Sequence, residues 1–460
     1  MRTFVDAKRY VRAVRRHGTR LPHATLGVLL ARSARPAISN DTELSMAFEG
    51  LWRGNSEVFA EQASKYLALS GASRQELNSL AGLLDVVFSR ATMKLDHDEA
   101  ADKASGLPAA DFVSDANSSL LLAASKLVNS VGLFEAGGGL HHVALKRLRR
   151  ESELRSSPRR GYLGAIAALH QGDLDFLSTF ISANEQSWAG RNGLFPPTTA
   201  LLTYARLLGM TTRVPERDYF VEPPHEEAWQ DFVANSDVLL YGPSDSDGLE
   251  GTDFSSFKVL RSLTVGVLRW PATSDLAAGR CEVAYANGET SAWFQSLAVD
   301  QQEEAMQHWD FLVTKGHSNL PLSRVSPMAC SVRGADSLSG LFISGSANMV
   351  PIMLVDALSR APRRCFVAGV NFYLAESPYR SEHRGLDAQG RRKDELGSTG
   401  LPFQRCRSLA IHNTFENRTL VRNLYQAHAI QGDTGFESVM TLSDEMYAQG
   451  LSEVYGKREA

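Results

Sequence analysis

The chain holds 460 residues, 43% hydrophobic and 22% charged, an ordinary globular balance with ample material for cores and length for two or three domains. The formal net charge of −4 gives no basic footprint and argues against nucleic acid as a partner. Cys281, Cys330, Cys365 and Cys406 lie far apart with no CxxC spacing, which speaks against a zinc site or a disulfide framework and for reduced thiols in a cytoplasm.

Residues 1–39 form a basic segment carrying Arg2, Lys8, Arg9, Arg12, Arg15, Arg16 and Arg20. It has no apolar h-region and does not read as a secretory signal. Phe4, Val5, Val11 and Val14 would make a thin apolar stripe on a helix. That pattern suits a solvated basic helix or a peripheral contact with the anionic inner face of a membrane, and the sequence leaves both open. No apolar run reaches the ~20 residues that span a bilayer.

Residues 40–215 read as an all-α region. Leu44, Phe48, Leu51, Phe59, Ala63 and Leu67 recur at helical spacing. "SSLLLAASKLVNSVGLF" and "GYLGAIAALHQGDLDFLSTFISANEQ" carry the same grammar. Ala47, Leu51, Gly54 and Phe59 are echoed by Ala165, Leu169, Gly172 and Phe176, in each case a helix ending near a glycine before a second helix. This is the pattern of helical-hairpin repeats, although two echoes establish only an all-α region. "HDEAADKASGLPAADFVSDANSS" reads as a loop or short helix, and "ESELRSSPRR" as a polar connector.

The pattern changes after Pro215. Short apolar runs bounded by Gly, Pro, Asp and Asn appear in "SDVLLYG", "FKVLRSLTVGVL", "CEVAYAN", "RCFVAGVNFY" and "RSLAIHN". Helical stretches, "AWFQSLAVDQQEEAMQHWDFLV" and "SANMVPIMLVDALSRA", lie between them. Buried strands alternating with helices predict a Rossmann-like α/β domain with a parallel sheet over 230–450. Ligands in such sheets bind beyond the carboxyl ends of the strands.

Those ends supply the candidate residues. Gly242, Pro243 and Ser244 follow the first strand and read as a nucleotide loop or an ordinary turn. Asn287 follows a later strand. Ser344 and Gly345 precede a helix whose first N–H groups suit an anion, with a plain serine cap as the simpler reading. Asn371, Tyr373 and Tyr379 follow another strand, and phenols six residues apart on a loop can converge on one phosphate. His412 is expected to end a strand before a helix carrying Arg418 and Arg422, and its imidazole suits proton transfer near neutral pH.

In this order the motifs resemble the bacterial sialyltransferases of the Campylobacter type, glycosyltransferase family 42. The resemblance covers about residues 235–445, and its most specific piece is "SGSANMVPIMLVDALSRAPRRCFVAGVNFYLAESPY". It implies a GT-A-like variant of the Rossmann fold and an inverting transfer from a CMP-activated acidic sugar to a surface-glycan acceptor. It further implies that no metal or cofactor takes part. Gly242, Pro243, Ser244, Asn287, Ser344, Gly345 and Asn371 would line the nucleotide site. Tyr373 and Tyr379 would donate to the departing phosphate, and His412 would be the general base.

Three positions depart from the family pattern. Tyr241 stands for an Asn, Leu263 for the Asn of an Arg-x-Asn that keeps Arg261, and Leu341 for an Arg. The donor sugar therefore stays open between sialic acid, Kdo and related acids. A non-catalytic helical scaffold with a degenerate nucleotide-binding domain is an alternative. So is a UDP- or GDP-sugar transferase using Asp245 and Asp247, although that Asp-x-Asp follows the first nucleotide loop directly. No GxSxG, P-loop or HExxH supports another enzyme class. The polar, Gly-rich stretch 383–402 matches the family's lid over the donor, so the resemblance implies a mobile loop there that orders when nucleotide binds.

Overall fold

The computed structural model describes residues 81–91, 93–106, 116–154, 158–188, 196–211, 226–244, 253–263, 280–315, 330–375 and 404–456, with single positions 67 and 249. The basic segment 1–39, the first echo at Ala47–Phe59, Asp245, Asp247, Tyr379 and the stretch 383–402 lie outside the described residues.

Helices come first. They are α1 (Ala81–Ala91), α2 (His97–Ser105), α3 (Ser118–Asn129), α4 (Phe134–Leu154), α5 (Pro158–His170), α6 (Leu174–Trp188), α7 (Pro196–Leu207) and α8 (Glu226–Val233). Two hairpins share one closing device. Gly132 (φ +82°) and Gly172 (φ +68°) take the left-handed conformation after α3 and α5. In each, the next residue donates back to the last helical turn, Leu133 N to Val128 O at 3.3 Å and Asp173 N to Ala168 O at 3.1 Å. Among the described residues Gly172 is therefore echoed by Gly132, and the same device recurs at Gly209 (φ +79°) after α7, where Met210 N donates to Ala205 O at 3.0 Å. "ESELRSSPRR" is mostly helical, because α4 runs through Leu154 and α5 starts at Pro158, the position where proline suits a first turn.

The α/β part follows with β1 (Asp237–Tyr241), β2 (Lys258–Ser262), β3 (Val283–Ala286), α9 (Gly288–Ser296), α10 (Val299–Met306), β4 (Phe311–Lys315), β5 (Ser331–Ala335), α11 (Met349–Leu358), β6 (Arg364–Ala368), α12 (Gln404–His412), α13 (Thr414–Gln426), β7 (Gln431–Gly432), α14 (Thr434–Thr441) and α15 (Asp444–Leu451). The seven described strands form one sheet in the order β5-β4-β3-β2-β1-β6-β7, and every pair among them is parallel. The sheet is thus Rossmann-like, flanked by helices. β1 and β3 are buried at every position, as central strands covered on both faces must be. After β5 the chain crosses to the other side of β1, which makes the β1–β6 border the topological switch point.

The sheet corrects three expectations. "RSLAIHN" is not a strand: it lies in α12 and ends it at His412. Its buried positions, Cys406, Leu409 and Ala410, fall at helical spacing, and a three-residue apolar run could not show that period. "DFLV" leaves the expected helix as β4, where the chain turns at Gln307 and His308. The "RCFVAGVNFY" strand stops at Ala368, before Asn371.

Both halves share one continuous apolar core, which holds Leu121, Leu127 and Phe134 of the helices together with Val238, Leu240 and Val283 of the sheet. At the far end of the sheet from the strand tips, Asp237 is fully buried and accepts from Arg363 at 2.6 and 2.7 Å and from Arg364. Arg333 of β5 joins Asp356 of α11 at 2.6 Å and Glu226 of α8 at 3.0 Å, so ion pairs tie the edge strand to its covering helices.

Candidate functional site

At the switch point the turns after β1 and β6 are laced together. Gly242 N donates to Ala368 O at 2.7 Å, and Ser244 N donates to Gly369 O at 2.9 Å. Gly369 N donates in turn to the buried Asp433 carboxylate at 2.7 Å, and Asp433 also caps α14 through Phe436 N at 2.7 Å. Gly242, Pro243 and Ser244 thus stand at the β1–β6 switch point, the end of the sheet where ligands of such folds bind. The backbone N–H groups of Gly242 and Ser244 are spent on the neighbouring turn.

Beyond Gly369 the chain turns sharply. Asn371 Oδ1 accepts from Tyr373 N at 3.0 Å. Phe372 and Tyr373 take φ of +45° and +73°, a left-handed pair in bulky residues, which costs energy and persists only where the surroundings hold it. The hold comes from α15: Tyr447 Oη donates to Phe372 O at 2.9 Å. Having given its one proton there, Tyr447 accepts from Thr414 Oγ1 at 2.6 Å. Thr414 lies two residues after His412, so this chain of bonds ties the Tyr373 turn to the histidine segment.

His412 sits half-buried at the junction of α12 and α13, with Nδ1 at 3.2 Å from Ser346 Oγ. Ser344 and Gly345 lie against the same junction: a Cβ on Gly345 would fall 2.7 Å from His412 O and 2.6 Å from Asn413 Cβ. The helix that Ser344 and Gly345 were expected to open begins only at Met349, with Asn348 as its cap. Asn287 is placed apart, separated from β1 by β2, and its side-chain oxygen caps α9 through Thr290 N at 2.9 Å. The structure therefore gathers Gly242, Pro243, Ser244, Asn371 and Tyr373 at the switch point. It gathers Ser344, Gly345 and His412 at the adjoining loop, and leaves Asn287 on another strand tip. Arg418 and Arg422 are bound to Asp444 at 2.8 and 3.2 Å, away from any ligand role.

The central group of the adjoining loop is a carboxylate that the sequence reading missed. Glu416 is fully buried and accepts from Ile343 N at 3.1 Å, Ser344 N at 3.2 Å and Ser344 Oγ at 2.9 Å. Asn413 Nδ2 adds a bond to Ser344 Oγ at 2.6 Å. Asn417 takes Asn348 N at 2.8 Å and donates to Ser346 O at 3.1 Å. At the tip of β4, Lys315 Nζ donates to Ala347 O. The anion-binding N–H of Ser344 is thus filled by the protein's own anion. The signal was present in "NTFEN", where an Asn is followed three residues later by Glu, the spacing of a helix start.

Two histidines of the helical region back this carboxylate. His141 Nε2 lies 3.9 Å and His170 Nε2 4.0 Å from its oxygens. His170 Nε2 is also 2.7 Å from Leu341 O, which can only accept, so that nitrogen carries the proton. Burial drives both imidazoles below their ordinary pKa, His141 down to about 4, and the Glu416 charge offsets this only in part. Between pH 6.5 and 4 the unfolded chain therefore binds protons that the folded chain refuses, and stability falls as pH falls. The depressed pKa of His141 alone is expected to cost about 2 kcal/mol between pH 7 and 5. Urea midpoints at the two pH values check this, and His141→Gln should shrink the difference, leaving the part that His170 carries. An unchanged difference in that variant would assign the acid sensitivity elsewhere.

No family model, no curated protein and no solved structure matches this chain.

Proposed function

We propose that the chain is an inverting, metal-independent glycosyltransferase that moves an acidic sugar, sialic acid or a Kdo-like acid, from a CMP donor to a surface-glycan acceptor. The observation that carries this reading is the switch point of an all-parallel sheet, flanked by the bonded turns Gly242–Ser244 and Gly369–Tyr373, with a Ser346-bonded His412 at the end of α12. On this reading the sheet is a GT-A variant, and the helices before it are an all-α region packed on it through the shared core. The enzyme works in the cytoplasm or at the inner face of the membrane. No described helix is long and apolar enough to cross a membrane.

In the reaction, an acceptor oxygen attacks the anomeric carbon as the bond from that carbon to the CMP phosphate breaks. The acceptor proton passes to His412 Nε2, which requires Nδ1 to carry its own proton and donate it to Ser346 Oγ. CMP departs as an anion, and the resemblance assigns Tyr373 and Tyr379 the task of donating to it.

A second reading has its own support. Ser244 N and Ser344 N, both assigned to the nucleotide, already have partners inside the protein, as a degenerate nucleotide-binding domain on a helical scaffold would allow. Thermal shift against CMP, CDP, UDP and GDP, with and without EDTA, separates the readings. A ligand at a hundred times its Kd stabilises the fold by about 2.7 kcal/mol. A rise in melting temperature with CMP that survives EDTA supports the transferase. A rise only with UDP or GDP plus metal favours a different donor, and no rise with any nucleotide favours the scaffold.

A further inference from the structure

The helical region before the sheet carries no motif of the proposed reaction, yet it grips the segment that leads into the site. Tyr162 Oη donates to Gly340 O and His170 Nε2 to Leu341 O, both from α5. Past Phe342, Ile343 and Ser344 give their N–H groups to Glu416, and His141 and His170 stand behind that carboxylate. Asn423 Nδ2 reaches back from α13 to Leu169 O at 3.0 Å, and Tyr204 Oη of α7 donates to Leu420 O. The helices thus hold both partners of the bond network: the 340–344 segment and the helix α13 whose first turn carries Asn413, Glu416 and Asn417.

We infer that the helical half is the positioning scaffold of the site, acting through Glu416, which fixes the 343–348 loop so that Ser346 meets His412. The inference rests on the proposed transferase for its kinetic consequence, but its structural content does not. A buried carboxylate with three bonds to one loop sets where that loop sits. The nitrogen that Ser346 engages decides how the imidazole is turned and which tautomer it holds. Glu416, His170 and Tyr162 touch neither donor nor acceptor on this reading, so they are positioning residues.

The test uses the full chain with Glu416→Gln and His170→Phe. Gln keeps the shape but turns an amide NH2 toward the Ile343 and Ser344 N–H groups, which can only donate. Phe keeps a ring and removes the bond to Leu341. Amide exchange is followed at residues 340–348 and, as an internal reference, in β1, β3 and β6. Positioning predicts that exchange at 340–348 rises tenfold or more in both variants while the strands change less than threefold. With a CMP-sugar, kcat should fall at least tenfold and the donor KM should move less than threefold. Exchange that rises equally in loop and strands, with kcat per folded molecule unchanged, would reduce Glu416 and His170 to general stability and overturn the inference. If the wild type binds no CMP, the donor reading fails, and the contrast between loop and strands still decides whether the helices position the loop. Should Glu416→Gln fail to fold, Ser344→Ala removes one contact of the same carboxylate and must show the same local exchange for the inference to stand.

Discussion

Gly369→Val is expected to lose about 4 kcal/mol or more of stability, enough to leave little folded protein, because backbone conformation and space act against it together. Gly369 takes φ +63°, where an L-residue pays about 1–2 kcal/mol and a β-branched one is a true outlier. A Cβ at this position would stand 2.5 Å from Ser244 O and 3.3 Å from Gly242 O. Both are backbone atoms in turns already bonded to one another, so neither can swing aside as a flexible side chain would. Gly242 faces the same constraint from the other turn, its Cβ falling 2.2 Å from Gly369 O. Gly288, at the start of α9, meets nothing within 4 Å, and Gly288→Ala is the matched control, expected to be neutral or slightly stabilising. Urea midpoints of the two variants settle the matter. A Gly369→Val midpoint equal to that of the wild type would mean that the two turns separate at little cost.

His412→Ala is the variant with the largest expected effect on chemistry. A positioned general base contributes about 10²- to 10⁴-fold, so kcat with a CMP-sugar should fall by that factor. The fold should survive, since His412 is half-buried and its side-chain partner Ser346 is itself part-buried. The melting-temperature rise with CMP should also survive, because the base acts on the acceptor and not on the nucleotide. The acidic limb of the pH–rate profile should disappear with the imidazole. A kcat within threefold of the wild type would remove His412 from the role of base.

The alternation of apolar runs and helices disclosed the parallel sheet because β1 and β3 are short, wholly buried and closed by Gly242 and Asn287, which are strong punctuation. β5 was invisible for the opposite reason: "SVRGA" is an edge strand with an arginine at its centre and partly exposed positions. β7 has only two residues, Gln431 and Gly432, and offers no pattern at all. α12 read as a strand because Leu409, Ala410 and Ile411 run together, and only its tertiary neighbours reveal the helical period. At the switch point Gly242 and Tyr373 stood out because each follows an apolar strand, whereas His412 was singled out behind an expected strand and stands at the end of α12. Glu416 was not, since a carboxylate three residues into a helix is usually a solvated first-turn acid. What makes this one different is Ile343 and Ser344, which lie 72 or 73 residues earlier in the chain, and His141 and His170, which are more distant still.

The pairing of β1 with β6 sets an order on how this protein is made. Tyr241 lies beside Ala368 in the finished sheet, and everything from β2 through α11 is synthesised between them. Until β6 leaves the ribosome, one edge of β1 stays unpaired and presents an adhesive row of backbone groups. The helical hairpins, whose contacts are local, can form during that wait. Their polar tips at His170 and Tyr204 then lack Leu341 and Leu420 until much later. The described C-terminal residues close the structure last, with Arg90 Nη2 gripping Gly456 O at 2.7 Å across a separation of 366 positions. Nascent chains stalled before α13 should therefore depend on chaperones and be cut readily by protease, whereas chains released past residue 456 should resist.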